Sequence, residues 1–360
     1  MRPVSVVIFH QPPRRYAGRL EKALATARAH VAERHCGAFL ATGATSVEVI
    51  SGDDDRPFGR RLARLARSGA LGSGGTVVLG AGAVPLARSS DRRSFVELAA
   101  ADGDRALANN RYSADIIAIS RADVLRALPD LPGDNALPRW LAEHAGLAVS
   151  DLRGRWRLAV DLDSPLDVEL LSFSSDTRWL GALEEDLAGG VRERLARVQA
   201  VMRDSHGELL VAGRTSAASL AWLERHAACR IRALVEERGL RAGSPLAGST
   251  GATVPRPPRS ILGALLDRTG PAALGDVLTE LGDAALVDTR VLMAHRLGAD
   301  ERAWPSAEDR YGSDLLLADD IADPWLRAIT ESALGARIPI VLGGHSLVGP
   351  GVRLVGHPGR

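Results

Sequence analysis

Short apolar runs of strand length alternate, along the first half of the chain, with stretches whose apolar residues recur at helical spacing. That alternation restricts the fold to a layered α/β arrangement. Val4 to Phe9 is a continuous apolar run that ends in His-Gln-Pro-Pro-Arg-Arg, the pattern of a buried first strand entering a loop. Helical spacing follows from Leu20 to about Glu33. Gly37 to Leu40 and Ser46 to Ile50 are further strand candidates. Phe58 to Leu71 reads as an amphipathic helix with an arginine-rich outer face, Thr76 to Leu79 as a strand, Ser94 to Ala101 as a helix and Ile116 to Ile119 as a strand. LPGDNALPRWLAEHAGL predicts a loop and a helix, and Leu158 to Leu162 a final strand. The expected fold is a doubly wound, mostly parallel sheet.

The stretch Arg155 to Leu171, RWRLAVDLDSPLDVELL, joins this pattern to a helix start through two acids. As an extended segment it places Trp156, Leu158, Val160 and Leu162 on one face and Asp161 and Asp163 on the other. Ser164, Pro165 and Asp167 then supply an N-cap, a first-turn proline and a capping-box acid. Asp163 and Asp167 favour the positive end of the new helix. A second reading has Asp161 and Asp163 hold a divalent cation at the carboxyl edge of the sheet, where hard oxygen ligands suit magnesium carrying a phosphate.

Composition narrows the chemistry. At 360 residues, 46% hydrophobic and 25% charged, the chain has the make-up of a soluble globular protein long enough for two domains. A formal net charge of +1 gives no general electrostatic case for nucleic acid or an anionic membrane. Lys22 is the only lysine, which excludes a Walker-type phosphate loop and Schiff-base chemistry. Cys36 and Cys229 lie far apart without CxxC spacing, so neither a disulfide framework nor a zinc cluster is expected. The apolar run at the N-terminus is too short for a signal peptide and no run reaches membrane-spanning length, so a cytoplasmic protein is expected. The acid run Asp53-Asp54-Asp55 reads as a solvated loop. GAGAVPLA carries Gly80 and Gly82, but Pro85 stands where a dinucleotide fingerprint needs its third glycine.

LAVDLDSPLDVELL, together with Gly133-Asp134-Asn135-Ala136 before RWLAEHAGLAV and with the turn in TVVLGAGAVPLA, is similar to motifs of the small GT-A-like nucleotidyltransferases. Residues 1 to about 172 resemble the 2-phospho-lactate guanylyltransferase family most closely, and the molybdenum-cofactor nucleotidylyltransferases more loosely. The resemblance implies a nucleotide-diphospho-sugar transferase-like fold over 1–172. It also implies a metal site at Asp163, with Asp161 as the second acid of the pair; under a nucleotidyltransferase reading Asn109, Asn110, Ser113, Gly133, Asp134 and Asn135 contact the nucleotide, Asn109-Asn110 reading equally as a turn, and Arg14, Arg15 or Arg19 supplies the catalytic phosphate charge in place of the missing lysine. Two departures stand out. Ala83 occupies the place of the family's metal-binding aspartate, and Tyr16-Ala17-Gly18 stand where a lysine precedes the Arg-Leu pair. Each loss removes a contribution of several kcal/mol at a phosphoryl-transfer transition state.

Beyond Ser172 the pattern predicts a mainly helical region, 173–360. Trp179 to Val201 is helical, and a long amphipathic helix is expected from about Ser216 to Arg238. A linker rich in Gly, Pro, Ser and Thr lies near 242–260 and carries Arg256 and Arg259. Further on, Asp288 and Arg290, Asp309 and Arg310, Ser313 and Asp314, Asp319 and Asp320, and Asp323 read as interhelix ion pairs or the lining of a second ligand site. IPIVLGGHSLVGPG resembles a nucleophile elbow, but Val348 replaces the second motif glycine. Gly343 to Ser346 therefore reads as a tight turn after a buried terminal strand, whose amides are also suited to cradle phosphate.

The function expected from these features is magnesium-dependent transfer of a nucleoside monophosphate from a nucleoside triphosphate, GTP favoured, to a small phosphorylated or carboxylated acceptor. The alternative is a non-catalytic nucleotide- or metabolite-binding protein of the same fold, a sensor or assembly partner. A nucleotide-sugar glycosyltransferase ranks third. Neither nucleic acid nor membrane is an expected partner, and a homo-oligomer is compatible with the sequence.

Overall fold

The computed structural model describes residues 2–52, 56–131, 133–237 and 258–356. The acid run Asp53-Asp54-Asp55, most of the linker and Arg256 lie outside them. The chain forms two compact units, passing from the first to the second between Asp161 and Leu162; Ala17–Leu24 also belongs to the second.

The first unit is built on strands β1 (Val4–His10), β2 (Ser46–Ser51), β3 (Gly75–Gly80), β4 (Arg105–Ala108), β5 (Ile116–Ile119) and β6 (Ala148–Asp151), in the order β2-β1-β3-β5-β4-β6. The sheet is mixed: β1 is parallel to β2 and β3, β4 is parallel to β6, and β5 is antiparallel to β3 and β4. β5 is reversed because a short loop, 109–115, joins it to β4, and a parallel partner would need a long crossover. Four helices accompany the sheet: α1 (Arg19–Ala41), α2 (Phe58–Ser68), α3 (Ser89–Ala100) and α4 (Leu137–Glu143).

Strand side chains alternate between two cores. Val4, Val6, Ile8, Val77 and Leu79 pack with Phe39 of α1 and Phe95 of α3. Val7, Val78, Ile117 and Ile119 pack with Leu62 of α2 and with Leu137 and Leu141 of α4. A sheet covered on both faces explains the continuous apolar strands, since neither face meets water.

Three local expectations are corrected. Gly37 to Leu40 is not a strand but the last part of α1, whose helical hydrogen bonding carries through a run short enough to fit either pattern. Leu158 to Leu162 is not a strand either: Trp156–Ala159 forms a 3₁₀ turn, and no strand is formed by 160–163. Finally, β4 and β6 are short strands that their mixed composition concealed.

The second unit corrects the expectation of a mainly helical region. Its helices are α5 (Pro165–Ser172), α6 (Glu185–Arg203), α7 (Ala217–His226), α8 (Ile261–Thr269), α9 (Leu274–Leu281), α10 (Thr289–Leu297), α11 (Ala307–Asp314), α12 (Pro324–Gly335), α13 (His345–Val348) and α14 (Val352–Gly356). They surround a sheet of β7 (Glu208–Gly213), β8 (Arg230–Val235), β9 (Ala284–Asp288) and β10 (Ile340–Gly343). Its order is β10-β9-β7-β8 and every pairing is parallel. The long helix expected from Ser216 to Arg238 is in fact α7 followed by β8, with the chain turning at 227–229. β9 escaped notice because AALVD is as compatible with a buried helix as with a strand. Leu209 to Val211, Ala284 to Leu286 and Ile340 to Leu342 are fully buried. Among the described residues no helix is long and apolar enough to cross a membrane.

Candidate functional site at the edge of the second sheet

In the second sheet the chain leaves β7 toward β8 on one side, and later places β9 and β10 on the other. Such a reversal opens a crevice at the carboxyl ends of the strands, the usual ligand position in open parallel sheets. Three segments converge on this edge: Arg214-Thr215 after β7, Asp288-Thr289-Arg290 at the end of β9, and Gly344-His345-Ser346 after β10. The start of α5 joins them, with the Leu166 side chain packed over Gly343.

The polar groups here form paired charges. Arg214 donates from Nε and Nη2 to the two oxygens of Asp288, at 2.5 and 3.1 Å. Arg290 donates from Nη1 and Nη2 to the two oxygens of Asp314 in α11, and from Nη1 to Thr289 Oγ1. Both carboxylates are fully buried, while the Arg214 and Arg290 side chains keep 19% and 10% of their exposure. Burial alone would raise the Asp288 carboxyl, but Arg214 and Arg290 outweigh it and hold it below the usual carboxylate range. Burial pushes Asp314 up, against the pull of Arg290 and the Ser164 hydroxyl. Burial also opposes charge on Arg290, yet Asp314 keeps its guanidinium firmly protonated.

Asp167 completes the cluster. Its Oδ2 accepts from the amides of Asp163 and Ser164, at 2.9 and 2.6 Å, and so caps α5 as its sequence predicts. Burial, then the charge of Asp163, pushes its carboxyl up to about 7, against the pull of the Ser164 amide. His345 Nδ1 donates to the Arg214 carbonyl at 2.9 Å. Burial and the Arg214 charge lower the ring's pKa, so His345 is neutral near pH 7 with the Nε2 lone pair available.

Gly344 matters for what it lacks. A Cβ built there would stand 3.6 Å from Arg290 Nε and 3.9 Å from Arg214 Nη2. Its backbone angles, φ −113° and ψ −159°, suit any residue, so glycine is not required for conformation and instead leaves room before two guanidiniums. At Gly213 the case is different: φ is +129°, and a Cβ would lie 2.2 Å from the Asp288 Cβ. Only glycine lets β9 approach there.

The residues expected to act in the first unit are distributed differently. Asn109 is buried and its amide is used internally: Nδ2 donates to Asp115 and to the Leu158 carbonyl, and Oδ1 accepts from the amides of Asp115 and Ile116. It clamps the β4–β5 loop. Asn110 accepts from the Tyr112 amide in the same turn. Ser113 donates to Asn135 Oδ1 at 2.7 Å, which brings Ser113 together with the loop of Gly133, Asp134 and Asn135 at the surface. Arg14 and Arg15 are exposed on the loop after β1, Arg15 lying over the Tyr16 ring. Arg19 is engaged in the second unit by Asp320 at 2.6 Å and Asp186 at 3.4 Å.

The two departures from the family pattern acquire a structural setting. Ala83 is buried, and its carbonyl accepts from His35 Nε2 at 2.8 Å. Val84 beside it is held at φ +43°, strained for a β-branched residue. Burial, then Arg92, lowers the His35 pKa to about 3. At the start of α1, where the family's lysine is missing, the Glu308 carboxylate accepts from the amides of Leu20 and Glu21 at 2.9 and 3.1 Å. An anion-binding helix start thus carries a carboxylate of the protein itself.

Asp161 ends the first unit, and Asp163 is exposed at the start of the second. Magnesium at this pair needs further donors, and among the described residues no group of three or more His, Cys, Asp or Glu is placed to hold a metal ion. Sequence patterns missed Arg214, Glu308 and the role of His345. The available signal was three apolar runs, ELLVAG, AALVD and IVLG, each followed within two residues by arginine or histidine. No protein-family model and no curated protein matches the chain.

Proposed function

We propose that this protein binds a small anionic metabolite at the carboxyl edge of its second sheet, and that its first unit is a nucleotidyltransferase-like body without transferase activity. The observation that carries this reading is the pair of guanidiniums, Arg214 and Arg290, presented from the ends of β7 and β9 beside Gly344 at the switch of strand order. The buried Ala83, the Glu308 carboxylate on α1 and the saturated amide of Asn109 favour the non-catalytic alternative over nucleotidyl transfer.

Calorimetric titration with nucleoside triphosphates, with and without magnesium, and with a panel of small carboxylates and phosphates tests the proposal. The expected result is saturable, metal-independent binding of a small anion that Arg214→Ala weakens at least tenfold. Magnesium-dependent release of pyrophosphate from GTP would instead restore the transferase reading.

A further inference from the structure

Resting on that reading, we infer that the edge of the second sheet recognises a carboxylate, held between Arg290 Nε and Arg214 Nη2 in the room that Gly344 leaves. Among the described residues Arg290 Nε donates to no protein acceptor, because its ion pair with Asp314 uses Nη1 and Nη2. Arg214 Nη2 gives one hydrogen to Asp288 and keeps a second. The point facing both nitrogens lies 3.6 and 3.9 Å from them. Two nitrogens this close to one point are at most about 7.5 Å apart, a gap that a carboxylate accepting one hydrogen bond on each oxygen can span from outside the glycine. Next in the chain, Thr215 is 7% exposed, and its buried hydroxyl finds no partner among the described residues.

Charge selects the class of anion. Arg214 and Arg290 are each neutralised by a bidentate carboxylate, Asp288 and Asp314, and Asp163 adds negative charge near Asp167 and His345. With no net positive charge at the edge, binding rests on two directed N–H donors. Two convergent donors suit the oxygens of a singly charged carboxylate, whereas a phosphate dianion meets the surrounding aspartates without compensation. His345 Nε2 offers an acceptor for a neighbouring hydroxyl on the same ligand.

The test uses the full chain, wild type and Gly344→Ala, titrated by calorimetry at pH 8 and constant ionic strength with acetate, glycolate and inorganic phosphate. The new methyl makes only ordinary contacts in a permitted backbone conformation, so the variant is expected to melt with the wild type. Acetate and glycolate are expected to bind the wild type saturably, glycolate more tightly, phosphate at least tenfold more weakly, and Gly344→Ala to lose at least tenfold in carboxylate affinity. Phosphate binding as tight as acetate, or a folded Gly344→Ala with undiminished affinity, overturns the cradle while leaving a metabolite site at the edge intact. If neither these probes nor any anion of the wider panel binds the wild type, both the cradle and the proposed function fall.

Discussion

Replacing Arg290 by methionine should be among the most damaging single changes in the second unit. The guanidinium engages both oxygens of Asp314, with the two side chains 10% and 0% exposed. Its removal leaves a carboxylate sealed from water, with the Ser164 hydroxyl and the more distant charge of Arg310 as its remaining support. A buried ion pair broken on one side costs about 3–5 kcal/mol, most of it the uncompensated charge. In urea, with a slope of roughly 2 kcal/mol per molar, the unfolding midpoint of this unit falls by about 1.5–2.5 M. The double variant Arg290→Met, Asp314→Leu removes the orphaned charge along with its partner, so it should recover to within about 1 kcal/mol of wild type. Paired unfolding curves of the singles and the double, followed by circular dichroism, give the coupling. If the double variant is as unstable as Arg290→Met alone, the loss is one of packing, and the electrostatic account of this edge is wrong.

Three further outcomes are expected. The Asp167 carboxyl titrates near 7 when folded against an ordinary 3.8, so the folded protein holds this proton to higher pH than the unfolded chain. Stability therefore falls as pH rises from about 4 to 7, by roughly 4 kcal/mol. Asp167→Asn should remove that slope, and thermal melts of both proteins across the window check it. His35 titrates near 3 against 6.5, so it costs stability as pH falls from 6.5 toward 3, by roughly 5 kcal/mol. His35→Gln should flatten this acid limb, and an unchanged limb in the wild-type-minus-variant difference would remove His35 from the account. Gly213→Ala forces a positive φ and a clash with the Asp288 Cβ, and should cost at least about 2 kcal/mol by urea titration. Wild-type stability there would mean that β7 and β9 are not so closely apposed.

The alternation of apolar runs made the first sheet legible at β1, β3 and β5, whose residues are buried almost throughout, and at β2 through the alternation in SVEVIS, although that strand is largely exposed. β4 and β6 are short and partly exposed, so their pattern is weak. Ser164, Pro165 and Asp167 announced α5 because capping is local chemistry, satisfied within one turn. Leu158 to Leu162 misled for the converse reason: its period-two pattern is satisfied by a 3₁₀ turn whose Leu158 is buried in the first core.

Sequence by itself determined that the chain layers helices on a sheet, that Ser164 caps α5, and that the described pattern holds no Walker-type phosphate loop. Only the tertiary structure decided that Arg214 meets Asp288, that Arg290 meets Asp314, and that Gly344 stands before both guanidiniums. The two ion pairs join positions 74 and 24 apart in the chain, and the pairing follows from strand order. Strand order is set by how buried faces pack across the whole unit, and no local spacing encodes it.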